Sequence, residues 1–250
     1  MKTATKQTTS IGILGYGEVG QAIAKFYRNP RIKDLARDDG LRGVDVLHIS
    51  IPWNETFIGA VEKEIREIKP KLTIIHSTVA VGTTKKLCEA LPDELIVHSP
   101  VRGVHPHIHE GIKTFVKYVG AENKKAGELA KKHLESIGIK TKVFMPAATT
   151  ELGKLLDTTY YGLAIAFHGE VKKMCDKWNL DFDEVMTDFN KTYNEGYLKL
   201  GKKNVVRPVL YPPEDGIHGH CVIENIEILK RQFPSTAFEF ISEYKPRHKK

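Results

Sequence analysis

The sequence predicts an α/β protein: a Rossmann-like, doubly wound and mostly parallel sheet, followed by a long central helix and a small helical region. Two observations lead to this prediction. Apolar runs of strand length alternate with segments of helical periodicity through the first half of the chain, as in βαβ units. After Pro146 the pattern becomes almost continuously helical, from Thr149 to about Trp178. We therefore expect two domains, residues 1–146 and residues 147–250.

The first strand–helix unit carries a glycine-rich turn. An apolar run over 11–14 leads into Gly15-x-Gly17-x-x-Gly20, and 21–27 continue with helical spacing. Gly15 permits the turn, Gly17 lets a pyrophosphate approach the backbone because it has no Cβ, and Gly20 lets the helix pack against the strand. The first amides of the helix would then face the phosphates. A turn that only closes a strand–helix joint is the alternative. We predict that the whole segment binds a dinucleotide: Gly15, Tyr16, Gly17, Glu18, Val19 and Gly20.

The remaining elements of the first domain follow from apolar runs bounded by proline or polar residues. Each predicted strand is short and mostly apolar, and each predicted helix carries an amphipathic pattern. We expect strands over 44–51 (ending at Pro52), 72–77, 95–98, 115–119 and 141–144, and helices over 56–68, 83–91 and 123–137.

The second strand of the sheet is poorly marked, with 31–35 as the candidate. An acidic residue at its end would bind the adenine ribose hydroxyls. We assign this role to Asp34, with Asp38 as a second choice and a surface carboxylate as the alternative. Arg31 and Arg37 leave NADP open, because arginine can bind a 2′-phosphate.

The second domain is built on the helix over 149–178, whose apolar residues recur at helical spacing. A helix of this length in a small protein is expected to meet a partner chain. A further helix is predicted over 182–200 and a short one over 221–233. Between them, 205–220 form a long loop rich in proline and glycine, and loops of this length are usually functional or disordered.

Bulk composition excludes several classes of protein. The net charge is +7, but the basic residues are scattered and match no nucleic-acid-binding module, so we expect no nucleic acid partner. The positive charge suits an anionic small substrate. Three cysteines make no disulfide framework, no apolar run is long enough to span a bilayer, and the polar first ten residues lack a signal sequence. We therefore expect no membrane partner and a cytoplasmic location.

Five motifs occur in a fixed order along the chain. They are Gly15-Tyr-Gly-Glu-Val-Gly20, His76-Ser-Thr-Val-Ala-Val-Gly-Thr-Thr84, Ser99-Pro-Val-Arg102, Glu151-Leu-Gly-Lys-Leu155 and Gly216-Ile-His-Gly-His-Cys221. The series resembles the UDP-glucose/GDP-mannose dehydrogenase family, within the 6-phosphogluconate/β-hydroxyacid dehydrogenase-like superfamily. The resemblance covers roughly residues 10 to 230.

The resemblance implies an NAD(P)-dependent oxidoreductase that removes hydride from a sugar-like or hydroxy substrate, an anion or nucleotide sugar. NAD is the expected cofactor, NADP the alternative, and the long helix implies a homodimer. Lys154 would stabilise negative charge on the substrate oxygen. Cys221 would attack an aldehyde to give a thiohemiacetal and later a thioester. Further residues are implied at the cofactor (Pro52, Ser77 and Thr78, the last also catalytic) and at the substrate (Arg102, Thr158 and His220).

The local sequence around Cys221 supports a nucleophile independently of the resemblance. Cys221 opens a helical pattern, and His218 and His220 lie beside it. A helix start and adjacent cations favour the thiolate form that this chemistry needs. A small buried cysteine is the alternative.

Several positions depart from the family pattern. Val101 stands where the family usually has a glutamate base, Thr158 where it has asparagine, and Glu224-Asn225 where it has Lys-Asp. Only 29 residues follow Cys221, so the family's C-terminal nucleotide-sugar domain has no counterpart in this sequence. A catalytically reduced or inactive nucleotide-binding homologue is therefore the alternative function.

The histidines suggest a further alternative, a metal-dependent enzyme. His105, His107 and His109 alternate in one loop, and His218 and His220 precede Cys221 in another. Imidazoles and a thiolate are zinc ligands. Anion-binding or surface histidines explain the same pattern, and we assign no metal ligand.

Overall fold

The computed structural model describes residues 9–103, 105–218 and 220–246, except for the side chain of His220. The chain forms two compact units, Met1–Lys154 and Leu155–Lys250. The division between these units falls inside the long helix. The functional domain boundary at residue 146 stays a prediction.

The first unit alternates short strands with helices along the chain. In order, the elements are β1 (Ile11–Leu14), α1 (Glu18–Ala24), β2 (Arg31–Asp34), β3 (Arg37–Asp38), β4 (Val46–Ile49), α2 (Phe57–Ile68), β5 (Leu72–Ile75), α3 (Thr83–Ala90), β6 (Ile96–His98), α4 (Ile108–Thr114), β7 (Lys117–Ala121), α5 (Lys124–Ser136), β8 (Thr141–Phe144) and the start of α6 (Ala148–Trp178).

The strands form one eight-stranded sheet in the order β3-β2-β1-β4-β5-β6-β7-β8. Strands β2, β1, β4, β5 and β6 are parallel to one another. Strand β3 is antiparallel to β2, and the parallel pair β7–β8 joins β6 in the antiparallel sense. The predicted doubly wound, mostly parallel sheet is confirmed. The prediction missed β3 and α4, and the strand predicted over 115–119 begins two residues later, at Lys117.

Helices cover both faces of this sheet. On one face α1, α4 and α5 pack around Ile13, Ile74 and Val119. On the other, α2 and α3 pack around Leu47 and Ile75. Strands buried on both faces read as continuous apolar runs, which is why β1, β4 and β5 were visible in the sequence.

The parallel strands place four loops at one edge of the sheet. Strands β1, β4, β5 and β6 all end there, so residues 15–17, 50–56, 76–82 and 99–103 follow their carboxyl ends. The chain changes direction across the sheet between β1 and β4. In open α/β sheets ligands bind outside the carboxyl ends of the strands, at such a switch point.

The second unit is helical. It contains the rest of the 31-residue helix α6, a π-helical segment (Asp183–Asp188), α7 (Phe189–Lys199), a 3₁₀ turn (Lys203–Val205), α8 (His220–Lys230) and α9 (Thr236–Ser242). The predicted long loop is present, since 206–218 have no regular secondary structure. Helix α9 was not predicted. Among the described residues, no helix combines the length and apolarity needed to cross a bilayer.

Candidate functional site

The three glycines of the turn after β1 differ in how much space the protein leaves for a Cβ atom. Gly15 has φ +90°, and a Cβ there would lie 2.8 Å from backbone atoms of Ser50. A Cβ on Gly20 would lie 2.0 Å from the carbonyl oxygen of Gly15. A Cβ on Gly17 would meet no protein atom within 4 Å. Gly15 and Gly20 are therefore required by the fold, whereas Gly17 leaves open space above the turn, which fits an approaching pyrophosphate.

Asp34 lies at the end of β2 and contacts this turn directly. Its Oδ2 accepts a hydrogen bond from the backbone N–H of Tyr16, and its Oδ1 accepts one from Leu35 N at 2.6 Å. Asp38, the second choice for the same role, accepts from Gly40 N and belongs to the edge strand β3. The structure thus brings Asp34, rather than Asp38, to the glycine turn.

Arg31 and Arg37, which left NADP possible as the cofactor, both bind other protein groups in the structure. Arg31 Nη1 donates to the carbonyl oxygen of Gly40 at 2.8 Å. Arg37 forms an ion pair with Asp39 at 2.7 Å, and its guanidinium lies 5.9 Å from the centre of the Tyr16 ring. Among the described residues the Asp34 carboxylate binds backbone N–H groups at the turn rather than either guanidinium, so it is available as an acceptor for hydroxyl groups.

The loops after β4 and β5 contact each other at the same edge of the sheet as the glycine turn. Ser77 Oγ donates to the carbonyl oxygen of Ile51 at 2.6 Å, which ties the two loops together. Thr78 is half-buried and Pro52 is exposed. The predicted cofactor residues Pro52, Ser77 and Thr78 therefore lie in adjacent loops at one edge.

The first turn of α6 is fixed to this same edge by Glu151. The Glu151 side chain is fully buried, and its carboxylate accepts from Gly82 N at 2.6 Å, Thr84 N at 2.8 Å and Thr84 Oγ1 at 2.7 Å. It thus caps the N-terminal end of α3, where unpaired amides favour an anion. Burial raises the pKa of Glu151 more than these three donors lower it.

His98, on β6, makes the second connection to α6. Its ring bridges Thr150 Oγ1 at 2.8 Å and the carbonyl oxygen of Ser77 at 3.1 Å. Burial lowers the pKa of His98 to about 3. A carbonyl oxygen only accepts, so Nε2 of the neutral ring carries the hydrogen and donates to Ser77. The Thr150 hydroxyl lies within hydrogen-bond distance of both His98 Nδ1 and, at 3.0 Å, the carbonyl oxygen of Ala147. Lys154 lies one turn further along α6 and is half-buried.

The side chains of the segment after β6 pack into the apolar core and against β7. Val101, at the position of the family's glutamate, is 6% exposed and belongs to the apolar core. Arg102 Nη2 donates to the carbonyl oxygen of Val116, and its guanidinium lies 4.3 Å from the centre of the Tyr118 ring. Arg102 therefore packs on β7 in this structure, and its role at a substrate stays a prediction.

In the second unit two of the departures from the family pattern contact each other. Asn225, 4% exposed, donates from Nδ2 to Thr158 Oγ1 at 2.7 Å. A neutral amide and a hydroxyl thus pair where the family has a carboxylate and an amide. Cys221 is exposed at the second position of α8. The side chain of His220, a predicted substrate residue, lies outside the described residues.

The histidines of the two loops make separate local contacts. His105 bonds to the carboxylate of Glu18, His109 Nδ1 lies 3.0 Å from the carbonyl oxygen of Ala22, and His218 bonds to Asp215. Within 9–103, 105–218 and 220–246, no three His, Cys, Asp or Glu side chains are grouped as metal ligands. The metal-dependent alternative therefore has no ligand set in the described part of the chain.

Several named dehydrogenases are similar to this chain in sequence. UDP-N-acetyl-D-mannosamine dehydrogenase of Methanococcus maripaludis is 27% identical over 191 residues, which are 75% of this chain and 40% of the relative. The enzyme of that name from Pyrococcus horikoshii is 23% identical over 224 residues, 82% of this chain and 50% of the relative. No family model matches the chain. In sequence, this chain is therefore similar to nucleotide-sugar dehydrogenases of the UDP-N-acetyl-D-mannosamine type.

Solved structures share the fold. The structure of the Pyrococcus horikoshii UDP-D-ManNAc dehydrogenase matches 94% of this chain, with 18% identity and a TM-score of 0.76. Mycobacterium tuberculosis 3-hydroxyisobutyrate dehydrogenase matches 94% of this chain and 91% of its own, with a TM-score of 0.69. The resemblance inferred from the motifs is confirmed. The chain spans about 40–50% of the two sequence relatives named above.

Proposed function

We propose that the protein is a dinucleotide-dependent dehydrogenase that oxidises an alcohol of a sugar-like or nucleotide-sugar substrate. The observation that carries the proposal is the glycine turn, whose Gly17 leaves open space where a Cβ would stand while Gly15 and Gly20 are sterically required. The named relatives, which are nucleotide-sugar dehydrogenases, supply the substrate class.

We further propose NAD as the cofactor. The Asp34 carboxylate at the end of β2 suits the two hydroxyls of an adenine ribose and would repel a 2′-phosphate. Arg31 and Arg37 are both engaged by other partners. The cofactor would accept a hydride from the substrate carbon.

The residues proposed for the chemistry are Lys154, Thr78 and Cys221. Lys154 would stabilise the negative charge that develops on the substrate oxygen as the hydride leaves. Thr78, in the loop after β5, would hydrogen-bond a water or the cofactor. Cys221 would form a bond from its thiolate to the aldehyde carbon, which a second oxidation would require.

The experiment combines binding with turnover. Titrating NADH and NADPH against intrinsic fluorescence should show saturable binding, with NADH at least about tenfold tighter because of the Asp34 charge. With NAD⁺ and UDP-N-acetylmannosamine, Lys154→Met should lower NADH formation by about 10²-fold or more. Cys221→Ser should leave one NADH formed per substrate where the unaltered chain forms two. Failure of every dinucleotide to bind would contradict the proposal.

A second candidate function is a nucleotide-binding homologue with reduced catalysis. Buried Val101 offers no base at the family's glutamate position, and the neutral Thr158–Asn225 pair replaces an ionisable group. Tight NADH binding without turnover of any nucleotide sugar would favour this candidate.

We also propose a homodimer through α6. Large apolar side chains recur on it at heptad spacing and are exposed: Tyr160 (69%), Phe167 (51%) and Met174 (46%), with Trp178 (61%) beyond them. Residues seven apart lie on one face of a helix, so these side chains form one apolar stripe. A second copy presenting the same stripe would bury it.

Phe167→Glu places a charge in this stripe and is expected to convert the dimer to a monomer. Light scattering after gel filtration measures the mass directly. Lys172→Glu, five residues further on and outside the stripe, is the matched control and should remain dimeric. A monomeric unaltered chain at tens of micromolar would contradict the dimer.

A further inference from the structure

Four buried or half-buried rings form a hydrogen-bonded chain through the first unit. His133 Nε2 lies 2.8 Å from Tyr27 Oη, Tyr27 Oη lies 2.9 Å from His48 Nε2, and His48 Nδ1 lies 2.8 Å from His76 Nε2. The chain ends at the carbonyl oxygen of Ser99, 2.8 Å from His76 Nδ1. It therefore runs from α5 to the segment that follows β6.

The direction of every bond in this chain is determined by its last acceptor. A carbonyl oxygen only accepts, so His76 Nδ1 carries the hydrogen and His76 Nε2 must accept from His48. His48 Nε2 then accepts from the Tyr27 hydroxyl. Burial lowers the pKa of His48 and of His76 well below the ordinary value, so both rings are neutral. All the donors point toward Ser99.

Lys117 approaches the same carbonyl oxygen from β7. The residue is 4% exposed, and its Nζ donates to the oxygens of Ser99 at 2.8 Å and Pro100 at 3.1 Å. An ammonium group has three N–H donors, whereas a neutral amine has two and a lone pair. In the part of the chain that the structure describes, Nζ meets these two acceptors, which match the donors of a neutral amine.

The charges around Lys117 also oppose a proton. Burial is the largest effect that lowers the pKa of Lys117, and the cations Lys154 on α6 and Arg102 after β6 lower it further, to about 7. Of the nearby histidines, His98 on β6 and His76 after β5 are both neutral, and the other neighbouring strand, β8, carries a further lysine, Lys142. No carboxylate acts on Lys117 among the described residues.

We propose that Lys117 is a positioning residue of the dehydrogenase site, which as an uncharged amine holds the Ser99–Pro100 segment in place beside Val101 and Arg102. This proposal rests on the proposed function for its role in catalysis, but the charge state of Lys117 does not. Any opening of the segment would expose the amine to water, where it takes up a proton.

Hydrogen exchange of residues 96–103 between pH 7 and pH 9 tests the proposal. After correction for intrinsic exchange rates, opening of this segment should become up to about tenfold rarer for each unit of pH, because the open form binds one more proton. Lys117→Gln keeps two N–H donors without a charge, so its opening should not depend on pH. Lys113→Gln, an exposed lysine on α4, should behave as the unaltered chain.

A second measurement covers the case in which Lys117→Gln does not fold. In protein labelled with ¹³C at the lysine ε-carbon, one resonance should titrate near pH 7 and be absent from Lys117→Gln or Lys117→Arg. Titration of every lysine near pH 10, or equal pH dependence of exchange in Lys117→Gln and the unaltered chain, would overturn the proposal.

The role of Lys117 in catalysis is tested separately, by the pH dependence of kcat. In the dehydrogenase assay kcat should fall on the acid side with an ionisation near pH 7, and Lys117→Gln should lack this limb while KM changes little. If exchange and NMR behave as expected but no dinucleotide binds, the neutral lysine stands, and both the proposed function and the role of Lys117 in catalysis are overturned.

Discussion

Replacing Glu151 by alanine is expected to lower the free energy of unfolding by about 3–5 kcal/mol, because buried donors would lose their acceptor. The carboxylate receives Gly82 N, Thr84 N and Thr84 Oγ1 at 2.6–2.8 Å, and neither Glu151 nor Thr84 is exposed. The helix α3 would lose its cap, and the first turn of α6, which carries Lys154, would lose its anchor. Urea denaturation followed by circular dichroism measures the change.

Two further variants distinguish the loss of the Glu151 hydrogen bonds from the general effect of removing a glutamate. Glu89→Ala removes an exposed carboxylate on α3 whose ion pair with Lys85 spans 3.8 Å, and it should cost less than about 1 kcal/mol. Glu151→Gln keeps one oxygen but turns an NH₂ toward a backbone N–H, so an intermediate loss is expected. Equal losses for Glu151→Ala and Glu89→Ala would contradict the anchoring role.

The dependence on pH follows from the raised pKa of Glu151. The folded state keeps the proton to a higher pH than the unfolded state, whose carboxyl has the ordinary value of 4.5. Stability from this group is therefore full below pH 4.5 and is lost as pH rises through the folded pKa. Glu151→Gln, which does not titrate, should lack this decline.

The parts of the fold that the sequence revealed are those with local causes. The glycine turn is specified by three glycines within six residues, and the neighbouring backbone requires two of them, Gly15 and Gly20. The buried strands are visible because both of their faces are apolar. The two-residue strand β3 was missed because so short an edge strand has no periodicity.

The parts of the site that stayed hidden depend on contacts between distant residues. Glu151 meets Thr84 across 67 positions, and Tyr27 meets His133 across 106. Nothing near Lys117 in the sequence indicates its burial beside two carbonyls. Arg102 was assigned to a substrate from its motif, but the ring of Tyr118 that it packs on belongs to β7, whose position only the folded sheet defines.

Gly17→Ala is expected to abolish dinucleotide binding, with a loss of affinity of about 10²-fold or more, while leaving the fold intact. Gly17 has φ −63° and ψ −169°, which alanine adopts readily, and its added Cβ would touch no protein atom within 4 Å. The methyl group would instead occupy the space through which the pyrophosphate approaches the turn. Calorimetric titration with NADH and a thermal melt measure the two properties separately.

Gly20→Ala, three residues away, should show the opposite pattern: its main effect should be a loss of thermal stability rather than a direct loss of NADH affinity. Its Cβ would lie 2.0 Å from the Gly15 oxygen, so the turn must deform, at a cost of about 3 kcal/mol or more. Gly59→Ala, in α2 and with no atom within 4 Å of its Cβ, controls for the added methyl and should bind NADH normally. If Gly17→Ala binds NADH as tightly as Gly59→Ala, the cofactor does not cross this turn. A stable Gly17→Ala chain without affinity would place the diphosphate against Gly17, because among the described residues no protein atom lies within 4 Å of the added Cβ.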